Sequence, residues 1–345
     1  MAMSKKELFM TAMNHGKPER TPVFLYDNVV TGFCTSIGPW FEKGPVGGGY
    51  DGFGILWENP ESGGGAPVPA PGSFYLDSDN ICNWRDIVKF PDVDAFDWEA
   101  EAARELAGVD RDEMIVDFGS GNGPYERLAA LMGFEEALIA MAVEPEACYE
   151  LIGAIVDYKI KIVEKVAQYY KADLFTNYDD YCTERGPFMS PEVFRELIKP
   201  HTKRYYDAIR EHGMIPIQHT CGFAEPLVQD FIDMGAQAWT SVQPTNDIVK
   251  LQKEYGDQLT FMGGFDTNGP ASREDATPEM IDYEVRRALR EYGPQGSFIV
   301  FAYKLINTTD PEVFMNECMK VVGPFIEYSH QYGDYSNLPD DPDFQ

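Results

Sequence analysis

Hydrophobic and polar positions alternate with two different periods along this chain, and the second half shows the pattern most clearly. Short β-rich runs, ADLFTNY (172–178), MIPIQH (214–219), AQAWTSV (236–242), QLTFMGG (258–264) and SFIVFAY (297–303), are separated by segments with helical spacing at 191–212, 225–234, 246–255 and 278–292. A last helix is predicted at 311–331. Several helices open on N-cap chemistry with proline close behind, as in Ser190-Pro191-Glu192, Thr277-Pro278-Glu279 and Asp310-Pro311-Glu312. Strand, helix, strand at this cadence means parallel pairing with right-handed crossovers. Upstream, TPVFLY (21–26), FGILW (53–57) and MIVDF (114–118) bring the strand count to eight. The expected fold is therefore α/β: one (β/α)8 TIM barrel over 1–345, with an N-terminal helical extension. Ser4 is the expected N-cap of that first helix.

The stretch 58–84 departs from the pattern. ENPESGGGAPVPAPGS is rich in Gly and Pro, and SFYLDSDNICNW suggests a hairpin, so a long loop insertion is expected here, placed to cover the barrel mouth. Residues 336–345 read as a flexible tail.

Charge narrows the range of partners. Twenty-eight basic residues stand against 57 acidic ones, a net charge of −29, and such a surface repels phosphate backbones and anionic lipid. Neither nucleic acid nor a membrane is expected as a partner, and no apolar run approaches the roughly 18 residues needed to span a bilayer. The N-terminus does not read as a secretory signal. Six cysteines scattered at 34, 82, 148, 182, 221 and 318 form no disulfide framework, so a cytoplasmic setting with reduced thiols is expected.

Catalysis on a TIM barrel sits just past the C-terminal strand ends. The residues read there are Tyr26, Asp27, Trp57, Glu126, Asn177, Asp179, Asp180, Cys182, His219, Cys221, Gln243, Asp266, Tyr303 and Lys304. The sharpest signal is His219-Thr220-Cys221-Gly222, because His and Cys two apart at a strand end can turn N and S to one zinc ion. The third ligand is open among Asp180, Cys182, Asp266, Glu126 and Tyr303. Adjacent acids on extended backbone face opposite ways, so one of Asp179 and Asp180 should enter the mouth. GSGNGPYE (119–126) matches no nucleotide-binding loop.

Several stretches resemble the uroporphyrinogen decarboxylase-like superfamily, in particular its cobalamin-dependent methyltransferase branch. They are GKPERTPV (16–23), YDGFGILW (50–57), DDYCTERGPFMSPEVF (179–194), HTCG (219–222) and MGGFD (262–266). The resemblance implies a (β/α)8 barrel. In its decarboxylases it implies an N-terminal arginine-rich motif and a late histidine. Here no arginine lies between Arg20 and Arg85, and the last strand ends Phe301-Ala302-Tyr303-Lys304. In the methyltransferases it implies a His-x-Cys zinc pair and a cysteine after the last strand. His219 and Cys221 match the pair, the late cysteine is absent, and Asp180, Asp266 or Tyr303 would replace it.

The expectation is thus a zinc enzyme that moves a methyl group between a small donor or acceptor (methoxylated aromatic, amine or thiol) and cobalamin carried by a separate corrinoid protein. Zinc would sit on His219 and Cys221 with Asp180, Asp266 or Glu126. Asp179, Asp180, Tyr303 and Lys304 would serve catalysis, and Tyr26, Asp27, Trp57, Asn177 and Gln243 would line the substrate pocket. A homodimer is a further expectation. The alternatives are a decarboxylase and a metal-free binding protein on the same barrel.

Overall fold

The computed structural model describes residues 2–31, 42, 44–45, 47–60, 67–333, 335 and 337–339. The described residues form twelve strands, β1 to β12 in chain order. Seven form one parallel sheet in the spatial order β1 (Asn28–Thr31), β5 (Ile115–Ser120), β6 (Leu174–Tyr178), β9 (Ile215–His219), β10 (Ala238–Val242), β11 (Thr260–Gly264) and β12 (Phe298–Phe301). Its two edges approach each other, since Val23, just ahead of β1, forms a parallel bridge to Val300 of β12.

Alternation along the strands divides the core in two. Ile115, Leu174, Ile217, Ala238, Met262 and Ile299 pack inside the curve of the sheet. Val116, Phe175, Trp239, Phe261 and Phe298 face outward into the much larger layer beneath the helices. The N-terminal helix Lys5–Met13, closed by a Ser4/Glu7 capping box, sends Phe9, Ala12 and Met13 into the inner cluster. It lies at the N-terminal strand ends, where Thr260 Oγ1 donates to the Ala12 carbonyl at 2.7 Å and Gln237 Nε2 to that of Met13 at 2.9 Å. The opposite, C-terminal end is left for chemistry.

The expected strands of the second half are present, as are helices at Pro278–Tyr292 and Pro311–Tyr332. Helix 191–212 forms with a π turn at Phe194–Ile198, which takes up the missing amide donor and ring bulk of Pro200.

The first half differs from expectation. TPVFLY (21–26) is not a strand beyond the Val23 bridge. Asp27 Oδ2 accepts the Val23 amide, Asn28 Oδ1 accepts that of Leu25, and the chain turns before β1 begins at Asn28. FGILW (53–57) does not join the parallel sheet. Asp51 Oδ1 accepts the amides of Phe53 and Ile55, Gly54 takes a φ of +84°, and the run is bent into a turn. Next in the chain is β3 (Leu56–Glu58), which pairs antiparallel with β2 (Gly49–Tyr50) and β4 (Val68–Pro69). The expected hairpin at 73–84 is a set of turns leading into a 3-10 turn at Ile81–Asn83 and the helix Trp84–Ile87, because Asp77 and Asn80 cap each other's backbone amides. Among the described residues the parallel sheet therefore has seven strands where eight were expected. Part of the expected insertion (61–66) and, apart from 337–339, the expected tail lie outside the described residues. A last, two-stranded unit, β7 (Cys182–Thr183) with β8 (Gly186–Pro187), packs beside the C-terminal end of β9. Among the described residues, no helix is long and apolar enough to cross a membrane.

Candidate metal centre

His219 is the last residue of β9 and shares the inward parity of Ile217. Two residues on, Cys221 returns to the same side. A turn that only glycine accommodates holds it there: Gly222 has a φ of +80°, and a Cβ at this position would lie 2.4 Å from the Thr183 carbonyl oxygen. The turn is clamped from the next loop. Gln243 Oε1 accepts the Gly222 amide at 3.1 Å. Asn246 Oδ1 accepts those of Ala224 and Glu225, and its Nδ2 donates to the Gly222 carbonyl at 2.9 Å.

Asp180 enters from the end of β6, its Oδ1 accepting the Cys221 amide at 2.7 Å. One ligand atom each from Asp180, His219 and Cys221 falls within 4.8 Å of the others. Cys221 Sγ lies 3.6 Å from His219 Nε2. Tetrahedral zinc with ordinary Zn–S and Zn–N bonds would separate such a pair by about 3.6 Å, so the spacing fits the ion and the mixed O, N, S donor set suits it. The electrostatics agree. Burial first, then the Asp180 carboxylate, holds the Cys221 thiol well above its usual range, against hydrogen bonds to Tyr303 and Ser241. Among the described residues Asp180 makes no ion pair with Lys or Arg, and a divalent cation is the counter-charge this group of donors calls for.

Aromatic rings wall the cluster. The Tyr178 ring lies 4.5 Å from that of His219, Phe301 6.2 Å from it, and Tyr303 Oη stands 3.8 Å from Cys221 Sγ. Burial raises the Tyr303 hydroxyl well above its usual range, with the Cys221 charge the next cause, so it stays a neutral hydroxyl here.

The other sequence-predicted residues are distributed differently. Asp179 points away from Asp180 and caps the helix Pro124–Met132, accepting the Glu126 amide at 2.8 Å, the Tyr125 amide at 3.2 Å and the Tyr181 hydroxyl at 2.6 Å. Glu126 and Asp266 are outside the three-residue cluster. The Glu126 carboxylate is still close enough to raise the Cys221 thiol, while Asp266 Oδ1 accepts the amide of Asn268 in its own turn. Lys304 is buried 3.5 Å from Glu317. Gln243 is spent on the Gly222 clamp and on Thr267. Asn177 has outward parity and donates to Tyr206 Oη at 3.3 Å beneath the helices. Trp57 donates to Asp51 at 3.0 Å within the small antiparallel layer.

Tyr26 and Asp27 are at the wrong end of the sheet for a substrate pocket at the mouth. Lys5 Nζ lies 3.6 Å over the Tyr26 ring, and Asp27 is buried in an ion pair with Arg20 at 2.6 Å. The reason is the turn at 23–27, which delays β1, so these residues precede the strand instead of following it. Sequence reasoning passed over Tyr178 and Asn246. Tyr178 was findable from parity with Leu174 and Thr176, and Asn246 had no signal beyond its place in a polar loop.

A family model described as Uroporphyrinogen decarboxylase (URO-D) matches residues 76–316. No curated protein matches the chain. Among solved structures, a methyltransferase from Methanosarcina mazei aligns with a TM-score of 0.66 at 12% identity, over 96% of this chain and 99% of that one. A D-psicose 3-epimerase with D-fructose aligns over 74% of this chain and 87% of that one, at 13% identity and a TM-score of 0.36. That last likeness is too remote to bear on the fold. With the parallel sheet, the helical outer layer and a family match across most of its length, this chain belongs to the uroporphyrinogen decarboxylase (URO-D) family.

Proposed function

We propose that this protein is a zinc-dependent methyltransferase that moves a methyl group between a small substrate and cobalamin on a separate corrinoid protein. The observation that carries the reading is the convergence of Asp180, His219 and Cys221 at the open ends of β6 and β9. The likeness of fold to a methyltransferase supports it. The architecture assumed is a single closed barrel, with the segment at Val23 in the eighth strand position.

Zinc held there would supply a Lewis acid for the heteroatom that bears or receives the methyl group. The chain's own residues do the rest. The Asp180 carboxylate braces the Cys221 backbone and offers the third ligand in place of a late cysteine. Tyr303 Oη, a neutral donor beside the thiol, orients the heteroatom and hydrogen-bonds the anion left after transfer. Tyr178 and Phe301 keep water from the His219 side. An oxygen or nitrogen ligand in place of a second thiolate leaves the metal a stronger acid, which suits a methoxylated aromatic or an amine.

Decarboxylation of a polyanionic tetrapyrrole would need cations at the mouth. Lys304 is paired with Glu317 and Arg127 with Asp51.

The test is elemental analysis together with a methyl-transfer assay. The native protein should hold about one zinc per chain, and His219→Ala, Cys221→Ser and Asp180→Ala should each lose it. The native protein should also change the absorbance of added reduced cobalamin in the presence of a methoxylated benzene or a methylamine. No metal under any loading condition, or turnover of a porphyrinogen without cobalamin, would overturn the proposal.

A further inference from the structure

One group of buried charges plays no part in the metal centre. Lys159, on the helix Pro145–Lys165, has no solvent exposure. Its Nζ donates to Glu42 Oε1 at 2.7 Å, to the Gly121 carbonyl at 3.1 Å and to Ser120 Oγ at 3.2 Å. Ser120, the last residue of β5, donates in turn to Glu42 Oε2 at 2.9 Å. Asn122 and Arg127 donate to the Glu42 main-chain carbonyl. The result is a cradle of donors in which Lys159 and Ser120 hold the Glu42 carboxylate and Asn122 and Arg127 its main-chain carbonyl, at the C-terminal end of the strand beside the one that carries Asp180.

The two cations of the cradle are held differently. Arg127, also without exposure, pairs with Asp51 at 2.7 Å, and Asp51 is fixed by the Phe53 and Ile55 amides and the Trp57 indole. Among the described residues Glu42 is the carboxylate that ion-pairs with Lys159, and it accepts one bond on each oxygen. A carboxylate offers roughly four acceptor sites. Two buried donors close by, Tyr158 Oη and Arg127 Nε, have no hydrogen-bond partner among the described residues. The Tyr158 hydroxyl is held up by burial and then by the Glu42 charge, and its ring packs 5.3 Å from Phe53, over which the Arg127 guanidinium lies at 4.1 Å.

We propose that this cradle is a binding subsite for the carboxylate of a small organic acid, and that the Glu42 side chain is its internal occupant. Leaving a buried ammonium without a counter-ion is strongly unfavourable, so outward movement of Glu42 is coupled to entry of another anion. Exchange of one carboxylate for another is close to balanced, and the Tyr158 hydroxyl and Arg127 Nε, unused by Glu42, are available to a ligand. The inference stands apart from methyl transfer. If that reading also holds, it names the substrate as an acid, bound through Lys159 on the β5 side of the mouth.

The experiment is calorimetric titration of benzoate into the native protein, Glu42→Ala and Glu42→Ala/Lys159→Met, with no metal or cobalamin needed. Loss of the internal competitor should tighten benzoate binding at least about tenfold in Glu42→Ala, and the double variant should lose that gain. If Glu42→Ala is unfolded in dilute buffer, benzoate should refold it where sodium chloride of equal ionic strength does not. Equal affinity in the native protein and Glu42→Ala, binding by neither, a gain that survives in the double variant, or refolding by chloride as readily as by benzoate would each overturn the proposal. Glu42 and Lys159 would then be a structural ion pair.

Discussion

Replacing Asp117 with asparagine should make this protein more stable at pH 8 and leave it nearly unchanged at pH 5. Asp117 lies on β5 with the inward parity of Ile115 and has no solvent exposure. Both its carboxylate oxygens sit within 2.9 Å of a single hydroxyl, that of Thr176, which has one proton to give. Burial dominates over that bond and over a second from the Thr176 backbone, and pushes the carboxyl from 3.8 up to about 7. A rise of that size corresponds to about 4 kcal/mol. The sign follows from its direction. Below pH 4 the carboxyl is protonated in both folded and unfolded chains, and its contribution is fully present. Between pH 4 and 7 the unfolded chain releases the proton while the folded chain keeps it, and stability falls until the folded group ionises too.

The asparagine of Asp117→Asn would keep the shape and the bond to Thr176 and would not titrate. Its buried amide carries a desolvation cost of its own, which brings the expected gain at pH 8 to about 2 kcal/mol. Urea unfolding followed by circular dichroism at pH 5, 6, 7 and 8 measures this directly. The native curve should retain part of its slope in the variant, since Asp179, also pushed up to about 7 by burial, titrates in the same window. Parallel curves for the two proteins, or a variant weaker than native at pH 8, would refute the reasoning and mean that the carboxylate has a compensating partner.

Other substitutions separate the roles assigned above. Gly222→Ala forces a Cβ into the Thr183 carbonyl at positive φ and should cost about 2 kcal/mol, with a weakened hold on zinc measurable by chelator competition. Asp51→Ala leaves the Arg127 guanidinium buried without a counter-charge and should lower stability by about 3–5 kcal/mol, read as a fall in Tm. Tyr303→Phe should keep its zinc and lose methyl-transfer rate by about 100-fold. Loss of the zinc instead would make Tyr303 a ligand.

The second half of the fold was legible because each strand there is followed by a capped helix, and two periods in strict alternation leave few topologies. The first half misled because a short apolar run reads alike whether it continues a sheet or bends at an aspartate. Asp51 gathers two backbone amides and Asp27 one, and these competing side-chain bonds decide the matter. That error carried into the site. Moving the first strand from 21–26 to Asn28–Thr31 sends Tyr26 and Asp27 to the opposite end of the sheet.

Within the site, legibility followed sequence distance. His219 and Cys221 stand two apart on extended backbone, where parity alone gives a shared side, and the same parity separates Asp180 from the helix-capping Asp179. Parity says nothing about partners brought in from elsewhere. Gln243, expected to touch substrate, and Asn246, passed over, are residues of one chemical type in one loop, and both prove to be clamps on the turn behind Cys221. Lys159 and Glu42 are 117 positions apart, and in the sequence neither differs from dozens of other charged residues. A metal centre built on one strand end announces itself in the chain, whereas a carboxylate cradle assembled from a helix, a strand end and a distant loop becomes visible only when burial shows which charges have nowhere else to go.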